Sequence, residues 1–169
     1  KGFDYAAMID DLRADLPSLK TVVVSGETNV PNVHSLEEGL AQNQPTAAGD
    51  RVSMDPDAVM RMAFTSGTTG DPKGVMHSFN TTLYAIEVIN SEMGVTSDEV
   101  ILVWLPVGLN WGYISLLQTV MAGCRAVLME RFDAERALQL IEKHRVTFIP
   151  TAPASLLAIL NVPQFQKYD

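Results

Sequence analysis

Thr65-Ser66-Gly67-Thr68-Thr69-Gly70-Asp71-Pro72-Lys73-Gly74 is the stretch around which the rest of the sequence arranges itself. It holds three glycines, four hydroxyl side chains and one lysine in ten residues. The apolar run before it, Val59 to Phe64, predicts a buried strand. After it, Phe79, Leu83, Ile86 and Met93 recur at roughly helical spacing. Glycine permits a backbone that turns with positive φ and brings its N–H groups close to a ligand. Successive N–H donors form a concave anion site, and serine and threonine hydroxyls add further donors. Lys73 supplies a mobile positive charge suited to phosphate oxygens, and Pro72 stiffens the turn. These residues together predict a loop that holds a polyphosphate. It is not a Walker loop, because Lys73 is followed by Gly74 where that motif needs serine or threonine.

The 169 residues, 47% hydrophobic and 19% charged, suffice for a domain with a real core. A net charge of −8 argues against general binding to nucleic acid or to an anionic membrane. No signal-peptide pattern opens the chain and no apolar run reaches membrane-spanning length, so a cytoplasmic protein is the expectation. The single cysteine, Cys124, excludes an intramolecular disulfide and reads as a buried thiol.

Along the chain, Tyr5, Met8, Ile9, Leu12 and Leu16 predict a helix stopped by Pro17, with Asp4, Asp10, Asp11 and Asp15 as its cap or solvated face. Thr21 to Val24 reads as a doubly covered parallel strand. Ser35-Leu36-Glu37-Glu38 resembles a capping box that opens a short helix to about Ala41. The polar segment 43–57 reads as a long surface connection within one α/β body. Strands are expected at Val100 to Leu105, Ala126 to Met129 and Thr147 to Ile149. Helices are expected from Gly112 to Met121, from Asp133 to about His144, and from Pro153 to Leu160. Strands separated by single helices imply right-handed crossovers and a largely parallel sheet. His34, His77 and His144 lack metal-ligand spacing, and nothing supports a hydrolase site.

The Thr65–Gly74 stretch resembles the phosphate-binding signature of the adenylate-forming enzymes: acyl-CoA synthetases, luciferases and peptide-synthetase adenylation domains. That signature, Thr-Ser-Gly-Thr-Thr-Gly-x-Pro-Lys-Gly, is matched at every defined position. The likeness covers most of residues 55–160: Asp55-Pro56-Asp57 with the strand after it, Gly74 to Ser78, Leu105-Pro106 through Gly112, Gly123 to Leu128, Phe132-Asp133 and Val146-Thr147. It implies a three-layer α/β unit with a mostly parallel sheet flanked by helices, part of the large N-terminal domain of such an enzyme. Residues 1–169 would then be a partial adenylation domain.

By that resemblance Thr65, Ser66, Gly67, Thr68, Thr69, Gly70, Lys73 and Gly74 bind the phosphates of ATP. Leu109, Trp111 and Gly112 fall beside the acyl pocket. Leu109 stands where many members carry histidine and Gly108 where an aromatic is frequent, which points to compact hydrophobic acids such as alicyclic carboxylates. Implied with them are ATP, Mg2+ and coenzyme A, a small carboxylic acid as substrate, and transfer through an acyl-AMP. The family's aromatic-Gly-x-Thr-Glu motif, its ribose-binding aspartate and its C-terminal catalytic lysine are not found in this sequence. No catalytic residue and no metal ligand is therefore assigned, and the fragment alone is expected to be inactive and prone to self-association. A peptide-synthetase-type domain and a non-catalytic nucleotide-binding relative are the alternatives.

Overall fold

The computed structural model describes residues 3–42, 53–66 and 70–168. They form two compact units, Lys1–Ser53 and Met54–Asp169. Most of the surface connection expected around 43–57 lies outside the described residues.

In the first unit, α1 (Tyr5–Leu12) begins at Asp4, whose carboxylate accepts from the N–H of Ala7 at 2.9 Å. This is the capping role expected for Asp4. Strands β1 (Val22–Val24) and β2 (Val33–Ser35) pair in parallel, Val23 opposite His34. Val23 remains 51% exposed, so within this unit the expected double covering of the strand is not found. Helix α2 (Leu36–Gln42) follows at once, and Ser35 Oγ accepts from the N–H of Glu38. Glu37, rather than Glu38, reaches back. Its carboxylate accepts from the hydroxyls of Ser25 (2.7 Å) and Ser35 (3.1 Å) and from the N–H of Gly26 (3.0 Å), tying the end of β1 to α2.

The second unit opens with β3 (Val59–Thr65) and β4 (Lys73–Ser78), an antiparallel pair. Here the structure corrects the sequence reading. The phosphate stretch joins strand to strand, and the helix begins only after β4. Nor is β3 buried: Val59, Met62 and Phe64 are 55%, 51% and 69% exposed. Helix α3 (Phe79–Met93) starts with a capping box between Ser78 and Thr81 and ends on Gly94 in the left-handed conformation. Its first turn is held to the lead-in segment, where Asn80 donates to Asp57 Oδ1 at 2.6 Å and its N–H to Pro56 O at 3.0 Å.

Strand β5 (Val100–Val103) is buried along its whole length and pairs in parallel with β6 (Arg125–Leu128). On its other side only Phe148 of the expected third strand forms a ladder bridge, parallel to Ile101. Between β5 and β6 runs α4 (Asn110–Ala122), closed by Gly123 at φ 69°. Then come α5 (Ala134–His144), capped by Asp133, and α6 (Pro153–Leu160), with proline in its first turn. Leu102, Trp104, Val127, Ala137, Leu138 and Ile159 form the core between β5, β6, α5 and α6. The architecture is thus α/β, with parallel strand pairs flanked by helices.

Candidate phosphate loop and acyl-side turn

Antiparallel pairing of β3 with β4 fixes the ends of the loop. Thr65 lies opposite Lys73 and Phe64 opposite Gly74, so the loop proper is 66–72, at the C-terminal end of β3. Gly67, Thr68 and Thr69 lie outside the described residues. Gly70 has φ 95°, a region that side-chain-bearing residues rarely enter. That is the conformational use of glycine the sequence predicts. Gly74 is packed against Met62, whose Sδ lies 2.8 Å from where a Cβ would stand.

Strand alternation sorts the hairpin into two faces. Thr65, Ala63 and Arg61 share one face with Lys73, Val75 and His77, their cross-strand partners. Met62, Phe64, Gly74 and Met76 form the other. Lys73 is exposed and so able to meet a ligand. One face is therefore basic and hydroxyl-bearing near the loop, and the other is apolar, with Phe64 and Met76 69% and 66% exposed.

The three acyl-side candidates play different parts. Gly112 is buried in the first turn of α4, and a Cβ there would stand 2.3 Å from Pro106 O and 2.6 Å from Leu105 O. Its place in the structure is to let α4 press onto the chain that leaves β5. Leu109 and Trp111, on either side of Asn110, are 60% and 48% exposed. Ser115 Oγ donates to Trp111 O at 2.8 Å and secures that turn.

Arg61, which the sequence reading passed over within the apolar run, connects the two regions. It follows a bulge in β3, and its guanidinium donates to Asn110 Oδ1 and lies over the Tyr113 ring, 4.4 Å from the centroid. A lone arginine inside an otherwise apolar strand is the signal that could have found it.

Among the described residues no group of three or more His, Cys, Asp or Glu side chains gathers as a metal site. A cavity of about 940 Å³ lies in the first unit, but Asp4, Asp10, Asp11 and Glu27 line it. A carboxylate-lined hollow repels a polyphosphate, so this cavity is no rival candidate for one. No helix among the described residues is long and apolar enough to cross a membrane.

The α/β unit with its Gly/Thr-rich hairpin is matched by known proteins, and comparison with them gives the class. Residues 2–169 match the family model described as AMP-binding enzyme, and the chain belongs to that family. It is 33% identical over 161 residues to 4-coumarate–CoA ligase 1 of Solanum tuberosum, covering 89% of this chain and 30% of that protein. It is 31% identical over 172 residues to the 3-[(3aS,4S,7aS)-7a-methyl-1,5-dioxo-octahydro-1H-inden-4-yl]propanoyl:CoA ligase of Rhodococcus jostii (strain RHA1), covering 98% of this chain and 33% of that protein. The structure of the amide bond synthetase McbA from Marinactinospora thermotolerans superimposes with a TM-score of 0.77 at 28% identity, over 96% of this chain and 31% of that one. The chain spans about a third of the length of the curated relatives it matches.

Proposed function

We propose that this chain is the phosphate-holding part of an ATP-dependent acid–CoA ligase. The carboxylate of the acid attacks the α phosphorus of ATP, forming a carboxyl–phosphate bond and expelling pyrophosphate. The thiol of coenzyme A then displaces AMP to give the thioester. The observation that carries the reading is the hairpin that sets Lys73 on the stem opposite Thr65, at the ends of the Gly/Thr-rich stretch. In this role Thr65, Ser66, Gly67, Thr68, Thr69 and Gly70 cradle the β and γ phosphates, and Lys73 offsets their charge as they depart. Positioning and charge neutralisation are the larger part of catalysis in such a transfer. Magnesium, when bound with ATP, would supply additional neutralisation of the phosphate charge.

For the acid, Leu109 and Trp111 form an apolar wall, and Gly112 sets the wall's position through its contact with the Pro106 carbonyl. A compact hydrophobic acid, alicyclic in type, fits a wall that lacks the polar group frequent at position 109. The fused-ring acyl group in the name of the Rhodococcus relative supports this choice. A second reading, transfer of the acyl group to an amine, is favoured by the likeness to an amide bond synthetase.

The test is acid-dependent ATP–pyrophosphate exchange by the full-length protein across a graded set of acids, followed by trapping with coenzyme A or with amines. Thioester formation supports the ligase. Amide formation without thioester supports the second reading, and absence of exchange with every acid refutes both. Lys73→Ala should slow exchange. A hydrogen bond to a charged group is worth about 1.5–3 kcal/mol, which is roughly a tenfold to hundredfold loss in rate.

A further inference from the structure

We infer that Arg61 is a positioning residue that couples the phosphate hairpin to the acyl-side turn, an inference that rests on the function proposed above. Three observations bring it out. The bulge between Val59 and Arg61 re-registers β3 immediately before the arginine, and bulges re-aim side chains beside active sites. Arg61 then stands on the same hairpin face as Thr65 and Lys73, four positions before Thr65 at the end of the strand. Its side chain spans to α4, where it donates to Asn110 Oδ1 and stacks its cation on Tyr113.

Asn110 is the residue between Leu109 and Trp111, so the guanidinium grips the very turn that carries the proposed acyl wall. Its Nε is buried and without a hydrogen-bond partner among the described residues. A buried donor left unpaired is costly. The contacts to Asn110 and Tyr113 are therefore kept against a desolvation penalty, which a salt-bridging surface arginine would not bear. A planar fork that hydrogen-bonds and stacks at once is also a geometry lysine cannot reproduce.

The consequence is directional. Phosphates drawn onto the loop reposition the stem, and Arg61 transmits that displacement to α4, bringing the acyl wall and the α phosphorus into register. Arg61 touches neither substrate in this scheme. It acts through Asn110 and Tyr113.

The experiment uses the full-length protein labelled with 5-fluorotryptophan, the Trp111 resonance being assigned by its loss in Trp111→Phe. ATP with magnesium, and inorganic pyrophosphate alone, are the probes, and calorimetry gives their affinities. The wild type should show a Trp111 shift that saturates with ATP binding. Arg61→Met, which keeps the side chain's bulk, should cut the shift to less than a third while ATP affinity changes less than about threefold. Asn110→Ala cuts the same link from the helix side and should give the same result, which keeps the test independent of how well either variant folds. Arg61→Lys should recover only part of the shift. A full shift in both Arg61→Met and Asn110→Ala overturns the inference, as does a wild type that binds ATP with no movement at Trp111. A wild type that binds no ATP overturns the proposed function and this inference with it, and calorimetry separates that case from the previous one.

Discussion

Gly112→Ala is the substitution on which local propensity and tertiary packing disagree most. Within a helix, alanine is favoured over glycine by up to about 1 kcal/mol, and Gly112 has no positive φ that would penalise a side chain. Propensity alone predicts stabilisation. Packing predicts the opposite, because the new Cβ would stand 2.3 Å from Pro106 O, 2.6 Å from Leu105 O and 2.6 Å from Pro106 C. All three are backbone atoms, which cannot rotate away. Ordinary contact begins near 3.4 Å, so α4 and the 105–106 turn must separate by roughly 1 Å. Overpacking of this kind costs about 1–3 kcal/mol and sometimes more. A backbone-on-Cβ clash belongs at the upper end. Offset by propensity, the net expectation is a loss of about 2 kcal/mol. Urea unfolding followed by circular dichroism measures it as a lower midpoint at unchanged slope. Gly108→Ala is the control, since nothing lies within 4 Å of its Cβ position, and it should be near neutral. A Gly112→Ala protein as stable as the wild type would refute the close-packing argument.

Gly39→Ala should act in the other direction: the residue lies inside α2 with nothing within 4 Å of a new Cβ, so unfolding should show a gain of about 0.5–1 kcal/mol. Glu37 is held at about 2, below its usual 4.5, chiefly by the Ser25 hydroxyl and then by the Gly26 N–H. A depressed carboxylate contributes stability above its unfolded pKa and loses it as pH falls through the folded value. The stability gap between wild type and Glu37→Gln should therefore be full at neutral pH, and shrink from about 4.5 down towards about 2, as unfolding midpoints across that range would record. Burial raises the Cys124 thiol above its usual range, so iodoacetamide at pH 8 should modify it more slowly than free cysteine. Trp111→Ala should shift relative kcat/KM toward bulkier acids in the full-length protein if the proposed function holds, and unchanged ratios would remove Trp111 from the proposed acyl wall.

Punctuation residues made much of this fold legible in the sequence. Asp133 and Pro153 open their helices where their capping chemistry says they should, and Gly123 closes α4 with a left-handed backbone. These are local effects, decided within a turn or two of chain. What depends on pairing between distant residues was less legible. Gly74 to Ser78 flows directly into α3, and nothing within it announces a strand, since it is the ladder to 59–65 that makes it one. The apolar character of Val59 to Phe64 suggested burial on both faces, yet a hairpin at the edge of a unit leaves Met62 and Phe64 open. Of the expected strand at Thr147 to Ile149, only one bridge forms among the described residues, and the Thr147 hydroxyl accepts from the N–H of Val100 at 2.8 Å. For the site, the residue types of the loop were readable, but the Arg61 contact was not, because Asn110 and Tyr113 lie far along the sequence.

The hairpin also changes what the loop's parts can do. Were 65–74 a strand-to-helix turn, Lys73 would belong to the loop, and its charge would move with whatever the glycines do. In the hairpin Lys73 is a stem residue, and its backbone is fixed against Thr65 by the ladder. Residues directly opposite in an antiparallel pair have Cβ atoms about 4.5–5.5 Å apart, so in the proposed role one hydroxyl and one ammonium would reach the same phosphate from one paired stem. In that role the adapting donors would fall within 66–72, where Gly70 already has a positive φ. Thus the sheet places the charge and the loop shapes the cradle. Arg61 extends the rigid part further, since it lies on the same face of the same ladder and reaches α4 from there. In the coupling inferred above the hairpin moves as one rigid body, and the Arg61–Asn110 contact carries that movement to α4.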